Sequence, residues 1–467
     1  MLFSSLEFLF RFLPIFLFLY YIVPKKFRNW VLFVGSVAFY ALGEVKYVPL
    51  IFLAIFVNYL CGQGMERAKQ KEASGRIWLV LGLLYHFGLL FFFKYTNYFF
   101  QELSTLFRGS ITFPQINVEL PLGISFFTFA SASYLCDVHQ NKIPAERKIA
   151  KLALYSFMFP QLLSGPIVRY QEFQKQVEDR TCSFQRVESG LKIFVTGLAY
   201  KVILANQLST LWNSIQTIGF ESISTPLAWM GMISYSLQLY FDFCGYSLMA
   251  IGVGEMLGFQ LPINFAHPYM ARSVTEFFRR WHITLGAWFR DYIYIPLGGN
   301  RKGRTRQILN LAVVWILTGL WHGAGNHFIL WGGYLFFFIT LEKLVLQKFL
   351  GKHNVIARIY LLLVIAISWM IFVIPDLGQL GIYFARLFPF LSRTHGIAVN
   401  ALDYIKQLKS YGVLLLLGIF LATPIPMRWY IKWKNHPMFV GLFLVVFWYC
   451  VYLIALGNDN PFLYFQF

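Results

Sequence analysis

Three polar clusters stand out in the sequence because each interrupts strongly apolar surroundings. The first is Leu320-Trp321-His322-Gly323-Ala324-Gly325-Asn326-His327, which joins two apolar segments. An imidazole titrates near neutrality, so His322 could exchange a proton in catalysis. The glycines beside it permit a break in a helix and the close approach of a ligand. A hydrogen-bonded core histidine is the alternative, and this run alone leaves both readings open. The second cluster is Gln238, Asp242 and Tyr246, spaced by four so that they share one helix face. An acid in a long apolar helix must meet a cavity or a partner, so the set reads as a network that locks two helices or as part of a reactive site. The third is Phe265–Lys302, with Arg279-Arg280-Trp281-His282, Phe289-Arg290-Asp291-Tyr292 and Pro296-Leu-Gly-Gly-Asn300-Arg301-Lys302. Between Arg272 and Arg306 stand eight basic and two acidic residues, a net of +6. That charge suits a loop resting on anionic headgroups, and it equally suits a donor whose phosphates are gripped by guanidinium forks.

The elements that must position these groups are membrane helices. Of 467 residues, 58% are hydrophobic and 13% charged, about half the charged fraction of a soluble chain. The composition excludes a disordered protein, a collagen and a small disulfide scaffold. The net charge of +19 is explained by Lys and Arg in cytoplasmic loops, so it does not call for nucleic acid as a partner. Cys61, Cys136, Cys182, Cys244 and Cys450 are scattered and show no metal-ligand spacing, so no disulfide framework and no metal site is expected. His86, His139, His267, His353, His395 and His436 have no comparable setting and receive no role.

A hydrocarbon core of about 30 Å takes roughly 20 apolar residues per helix. Full candidates are Phe8–Val23, Ile77–Phe93, Leu191–Ala205, Leu227–Leu257, Phe328–Leu346, Ile359–Ile374 and Met438–Leu456. Shorter ones are Trp30–Leu42, Val48–Leu60, Pro121–Tyr134, Leu152–Val168, Ile308–Trp321 and Val413–Ile425. The expectation is an all-α polytopic protein of about 10–12 transmembrane helices plus re-entrant segments. Phe8–Val23 carries Glu7 and Arg11 beside it and lacks a small-residue cleavage site, so it reads as a retained helix. Leu152–Val168 holds Pro160 and Pro166 and has basic residues on both sides, so it reads as re-entrant. If the basic loops face the cytoplasm, the N-terminus and the tail 457–467 lie outside. No internal repeat is apparent, which speaks weakly against a transporter.

With these residues in view, the sequence resembles the membrane-bound O-acyltransferase (MBOAT) family, and most closely its alginate O-acetyltransferase branch. The matching stretches are Met1–Tyr21, Phe159-Pro-Gln161 with Ser164-Gly-Pro166-Ile-Val-Arg169-Tyr170, Gln238–Pro268, Glu276-Phe-Phe-Arg279-Arg280-Trp281-His282-Ile-Thr, Asp291-Tyr-Ile-Tyr-Ile-Pro-Leu-Gly-Gly299, Trp321-His322-Gly323 and Asn460–Phe467. The resemblance runs nearly end to end as one domain, 1–467. The branch often has Trp where Phe278 stands, Ser at Cys244 and an acid at Leu248; no presumed catalytic group is lost.

The resemblance implies helices ringed around a central tunnel, with an acyl thioester entering from the cytoplasm and an acceptor hydroxyl from outside. His322 matches the family's catalytic histidine and would be the base; burial would keep its ring neutral. His282 matches a second position and would hold the thioester carbonyl or orient the acceptor. Arg279, Arg280 and Trp281 would meet the donor, with Gln238, Asp242 and Tyr246 as a supporting polar network. The donor would be acetyl-CoA or another acyl thioester, with no permanently bound cofactor. Tyr464, in an aromatic tail, would be an acyl carrier or an interfacial anchor. The partners would be membrane lipid, an extracytoplasmic acetyltransferase and a polysaccharide such as alginate, all at a bacterial cytoplasmic (inner) membrane. D-alanyl transfer to teichoic acid from a carrier-protein thioester is the nearest alternative. A polysaccharide or lipid transporter is the alternative of another class, and a non-catalytic scaffold a third.

Overall fold

The computed structural model describes residues 1–107, 113–116, 118–163, 165–390, 399–434 and 436–457. All regular structure among these residues is helical. This follows from the solvent, because a lipid-exposed backbone must bond within its own segment. Six helical stretches are long and apolar enough to cross a membrane: Lys25–Gln70, Arg76–Leu106, Asn326–Lys352, Asn354–Val373, Asp403–Leu421 and Pro437–Ala455. Phe8–Ile22 is a shorter apolar helix. The residues of the expected Leu227–Leu257 span form the 32-residue helix Thr225–Met256, which is not among those six. The residues of the expected Leu191–Ala205 span form the end of the helix Phe184–Ala199 and a π-helical turn, Tyr200–Ala205, likewise outside those six.

The chain divides into two compact units. The first holds residues 1–194 and 247–263. Its core is aromatic: Phe8, Phe12 and Phe39 meet Phe159 at centroid distances of 6.5, 5.5 and 5.1 Å. The basic turns share one end of its helices. Gln63 donates to the Glu146 carbonyl at 2.8 Å, Lys151 pairs with Glu178, and Asn29 donates to the Val177 carbonyl at 3.3 Å. The Lys151 ammonium also holds the exposed Glu178 carboxyl below its ordinary pKa. Leu152–Val168 turns back on itself: after the helices Ile149–Phe157 and Phe159–Leu162, the Tyr155 hydroxyl donates to the Val168 carbonyl at 2.8 Å.

The second unit holds residues 195–246 and 264–467 and carries all three polar clusters whole. The helices Arg304–His322 and Asn326–Leu341 form its tightest hairpin. Glycines make this approach possible. A Cβ on Gly319 would lie 2.3 Å from the Phe328 carbonyl oxygen, and one on Gly332 would lie 2.4 Å from that of Trp315. Small residues of this kind let membrane helices touch backbone to backbone.

Candidate active site

The sequence breaks the hairpin where the expectation put the break. The first helix ends at His322, Gly323 is extended at φ −175°, and the second begins at Asn326. Gly323 is required for space: a Cβ there would sit 2.0 Å from the Phe328 ring. This end of the hairpin presents His322, which is half-buried. Three aromatic rings frame the imidazole. Trp321 lies at 4.8 Å, Trp331 at 5.0 Å and 87°, and Phe372 at 5.1 Å and 86°. The last two are edge-to-face arrangements, which ring quadrupoles favour.

His322 lines a cavity of about 690 Å³ that lies entirely within the second unit. One face of its own helix forms a wall through Gln307, Leu311, Val314, Trp315, Thr318 and His322. At 1.5 Å per residue, the 15 steps from Gln307 to His322 make a passage of about 22 Å. The cavity's chemistry is graded along that wall. Arg279, Arg290, Asn300, Gln307 and Lys343 supply its polar lining, while Trp315, Trp331, Trp369 and Phe372 supply an aromatic one. A second cavity of about 360 Å³ shares Thr275, Arg279 and Lys343 with it and adds Arg272, Glu276 and Gln347.

His282 lines the same cavity and is 3% exposed. Burial pushes its imidazole well below the ordinary histidine value. The Phe243 ring meets it edge-on at 4.6 Å and 89°. His282 sits between the short helices Val274–Arg280 and Ile283–Phe289 in a left-handed conformation, φ 44° and ψ 55°. Such a conformation is strained for a residue with a side chain, so surrounding bonds must hold it. Asn264 provides them. Its carbonyl oxygen accepts from Ile283 N at 3.0 Å, and its Oδ1 accepts from Thr284 Oγ1 at 2.7 Å and Thr284 N at 3.3 Å.

The remaining predicted residues divide by position. Arg279 and Trp281 line the cavity, Trp281 packing on Trp369 at 4.9 Å and on Phe277 at 5.5 Å. Arg280 is outside the lining and pairs with Glu276 at 2.6 Å. Gln238, Asp242 and Tyr246 are buried on the Thr225–Met256 helix, and Asp242 pairs with Lys201 of the π-helical turn. Tyr464 lies outside the described residues. Sequence reasoning missed Lys201, Asn264 and Glu342. Glu342 is buried and accepts from Val274 N at 2.6 Å and from Thr275 N at 3.4 Å, fixing the start of the helix that carries Arg279. Lys201 and Glu342 each had a signal, an ion inside an apolar run.

The comparisons with known proteins agree with this architecture. Residues 29–380 match the signature of MBOAT, the membrane-bound O-acyltransferase family. A probable alginate O-acetylase AlgI of Pseudomonas putida is 34% identical over 488 residues, covering 100% of both chains. A peptidoglycan O-acetyltransferase of Helicobacter pylori is 38% identical over 368 residues, 71% of this chain and 68% of its own. A teichoic acid D-alanyltransferase of Bacillus subtilis is 29% identical over 233 residues, 47% of this chain and 58% of its own. The chain belongs to the membrane-bound O-acyltransferase family and is a multi-pass membrane O-acyltransferase.

Proposed function

We propose that this O-acyltransferase moves acetyl groups from cytoplasmic acetyl-CoA toward an extracytoplasmic bacterial polysaccharide, of the alginate type or another exopolysaccharide, at the cytoplasmic membrane. The observation that carries the reading is the graded cavity, with His322 on an aromatic chamber and cations in its polar lining. A donor with phosphates is held by guanidinium and ammonium groups such as Arg279, Arg290 and Lys343. Its neutral thioester can enter the aromatic chamber without desolvating charge. There the acceptor oxygen attacks the thioester carbonyl carbon and His322 takes the hydroxyl proton. The C–S bond breaks as the new C–O bond is kept, and the thiolate leaves with that proton. The products are an acetyl ester and a free thiol.

The lining also favours acetyl over D-alanyl transfer. Among the described lining residues there is no Asp or Glu to receive the ammonium of an alanyl group. An unpaired ammonium in an apolar chamber is strongly disfavoured. In this reading the first acceptor is the Tyr464 phenol, which presents the acetyl group to an extracytoplasmic acetyltransferase partner.

Purified protein in liposomes, given labelled acetyl-CoA and a soluble polysaccharide acceptor with the partner, tests the proposal. Label is expected on Tyr464 by peptide mass, and His322→Ala abolishes transfer. Full transfer by His322→Ala refutes the base. Transfer from a D-alanyl carrier protein and not from acetyl-CoA refutes the donor.

A further inference from the structure

Asn264 contacts the His282 turn at more points than a helix cap requires. It is 1% exposed, 18 residues upstream of His282, and bonds to three consecutive residues. Its main-chain oxygen holds Ile283 N, and its side-chain oxygen holds both donors of Thr284. Those donors decide which way the carboxamide points. A backbone N–H can only donate, so the atom facing Thr284 N must be the oxygen; a flipped amide would set two N–H groups against each other. The same oxygen lies 3.4 Å from His282 Nδ1. With an oxygen of fixed orientation there, the favourable ring form carries its proton on Nδ1; the other form sets two lone pairs against each other. Burial disfavours the doubly protonated ring.

We infer that Asn264 is a positioning residue that fixes His282 in its Nδ1–H tautomer, leaving Nε2 as an acceptor of hydrogen bonds. The inference rests on the proposed transferase reading and sharpens it. A neutral ring with a lone pair on Nε2 cannot donate to a thioester carbonyl through that atom, but it can accept from a hydroxyl. His282 therefore orients the acceptor, and the role of holding the thioester carbonyl falls to another group. A hydroxyl has a single proton: it rests on His282 Nε2 while the acceptor docks, and turns to His322, which removes it, as the oxygen attacks.

The test has one arm that does not depend on activity. In full-length protein labelled with 15N-histidine and reconstituted in lipid, the His282 signals are assigned by their loss in His282→Gln. A protonated Nδ1 with an unprotonated Nε2 is expected at pH 7.5; a protonated Nε2 overturns the inference whether or not the protein proves to be an acetyltransferase. The second arm uses acetyl transfer. Asn264→Leu is expected to lower kcat by about tenfold or more, with the KM for the thioester unchanged, and to let the Nε2–H form appear in the spectrum. Asn264→Asp keeps an oxygen at the same place, so it is expected to retain the Nδ1–H form. It raises His282 basicity and shifts the acid limb of the pH profile upward. Thr284→Val keeps the backbone donor and is expected to retain the tautomer even if the Leu variant fails to fold. An unchanged spectrum in folded Asn264→Leu, or an unshifted profile in Asn264→Asp, overturns the inference. Loss of transfer in every preparation with the expected spectrum would instead strike the transferase reading alone.

Discussion

The Lys201–Asp242 pair invites a double-mutant test, because its two charges lie where neither can reach water. Their side chains are 3% and 2% exposed. Removing one partner of such a pair leaves an uncompensated buried ion, which costs about 3–5 kcal/mol. Lys201→Met and Asp242→Leu should each therefore destabilise the protein by roughly that amount, a factor of over a hundred in the unfolding equilibrium. Removing both charges leaves apolar side chains of similar volume, so the double variant should lie within about 1–2 kcal/mol of the parent, on the principle that hydrophobic replacement of a buried pair is often neutral. The coupling between the sites should then be several kcal/mol, well above the usual 0.5–3 kcal/mol for residues in contact. The measurement is reversible unfolding in mixed micelles with increasing SDS, for the parent, the two single variants and the double. Activity is a second readout, since Phe243, next to Asp242, meets the His282 ring at 4.6 Å. Single variants within about 0.5 kcal/mol of the parent would refute the buried-charge argument. A double variant as unstable as the sum of the singles would refute the coupling.

Other expectations follow from the same geometry. Gly332→Ala should destabilise by about 1–3 kcal/mol in the same unfolding assay, because its Cβ would lie 2.4 Å from the Trp315 carbonyl oxygen and the two helices must part. Glu342→Leu should raise the KM for the thioester more than it lowers kcat in steady-state assays, because the lost N-terminal bonds release the helix carrying Arg279. Phe278→Ala should widen the chamber where Phe278 now meets Trp315 at 4.6 Å. The butyryl-to-acetyl ratio of kcat/KM should then rise about tenfold, the lower end of what added methylenes are worth in an apolar pocket; an unchanged ratio would place the acyl chain elsewhere.

The sequence made the helix break at His322 legible because glycines follow it between two apolar segments. The structure ends the helix there, and the glycine serves ring packing instead of an unusual backbone angle. Asn264 was not legible. A single Asn after Pro262 carries no periodic signal, and its partners are a turn 18–20 residues later that takes shape only once the chain folds. Lys201 was half legible. It stands in an apolar run taken as a span, and a lysine at such a position calls for an acid. Asp242 shares a helix face with Gln238 and Tyr246, and no periodicity in the sequence pairs positions 41 residues apart. The turn within Leu152–Val168 was legible because two prolines and flanking basic residues broke the alternation of apolar runs.

The supports given to the two histidines differ in kind, and the difference matches the work assigned to each. His322 is framed by three aromatic rings, contacts that hold the imidazole in place by packing. A base must gain a proton in one step and surrender it in the next, so a ring kept in place through both steps suits it. His282 is set in a left-handed turn and beside an oriented amide oxygen, contacts that are directional and tolerate one ring form. A group that only aims a hydroxyl gains from having its acceptor fixed in advance, because less ordering remains to be done when substrate arrives. Exchanging the supports should therefore harm each residue differently. Phe372→Ala should loosen His322 and lower kcat at every pH, whereas Asn264→Asp should move the pH profile and leave its plateau standing. Equal effects of the two changes on plateau and profile would mean that the histidines share one role.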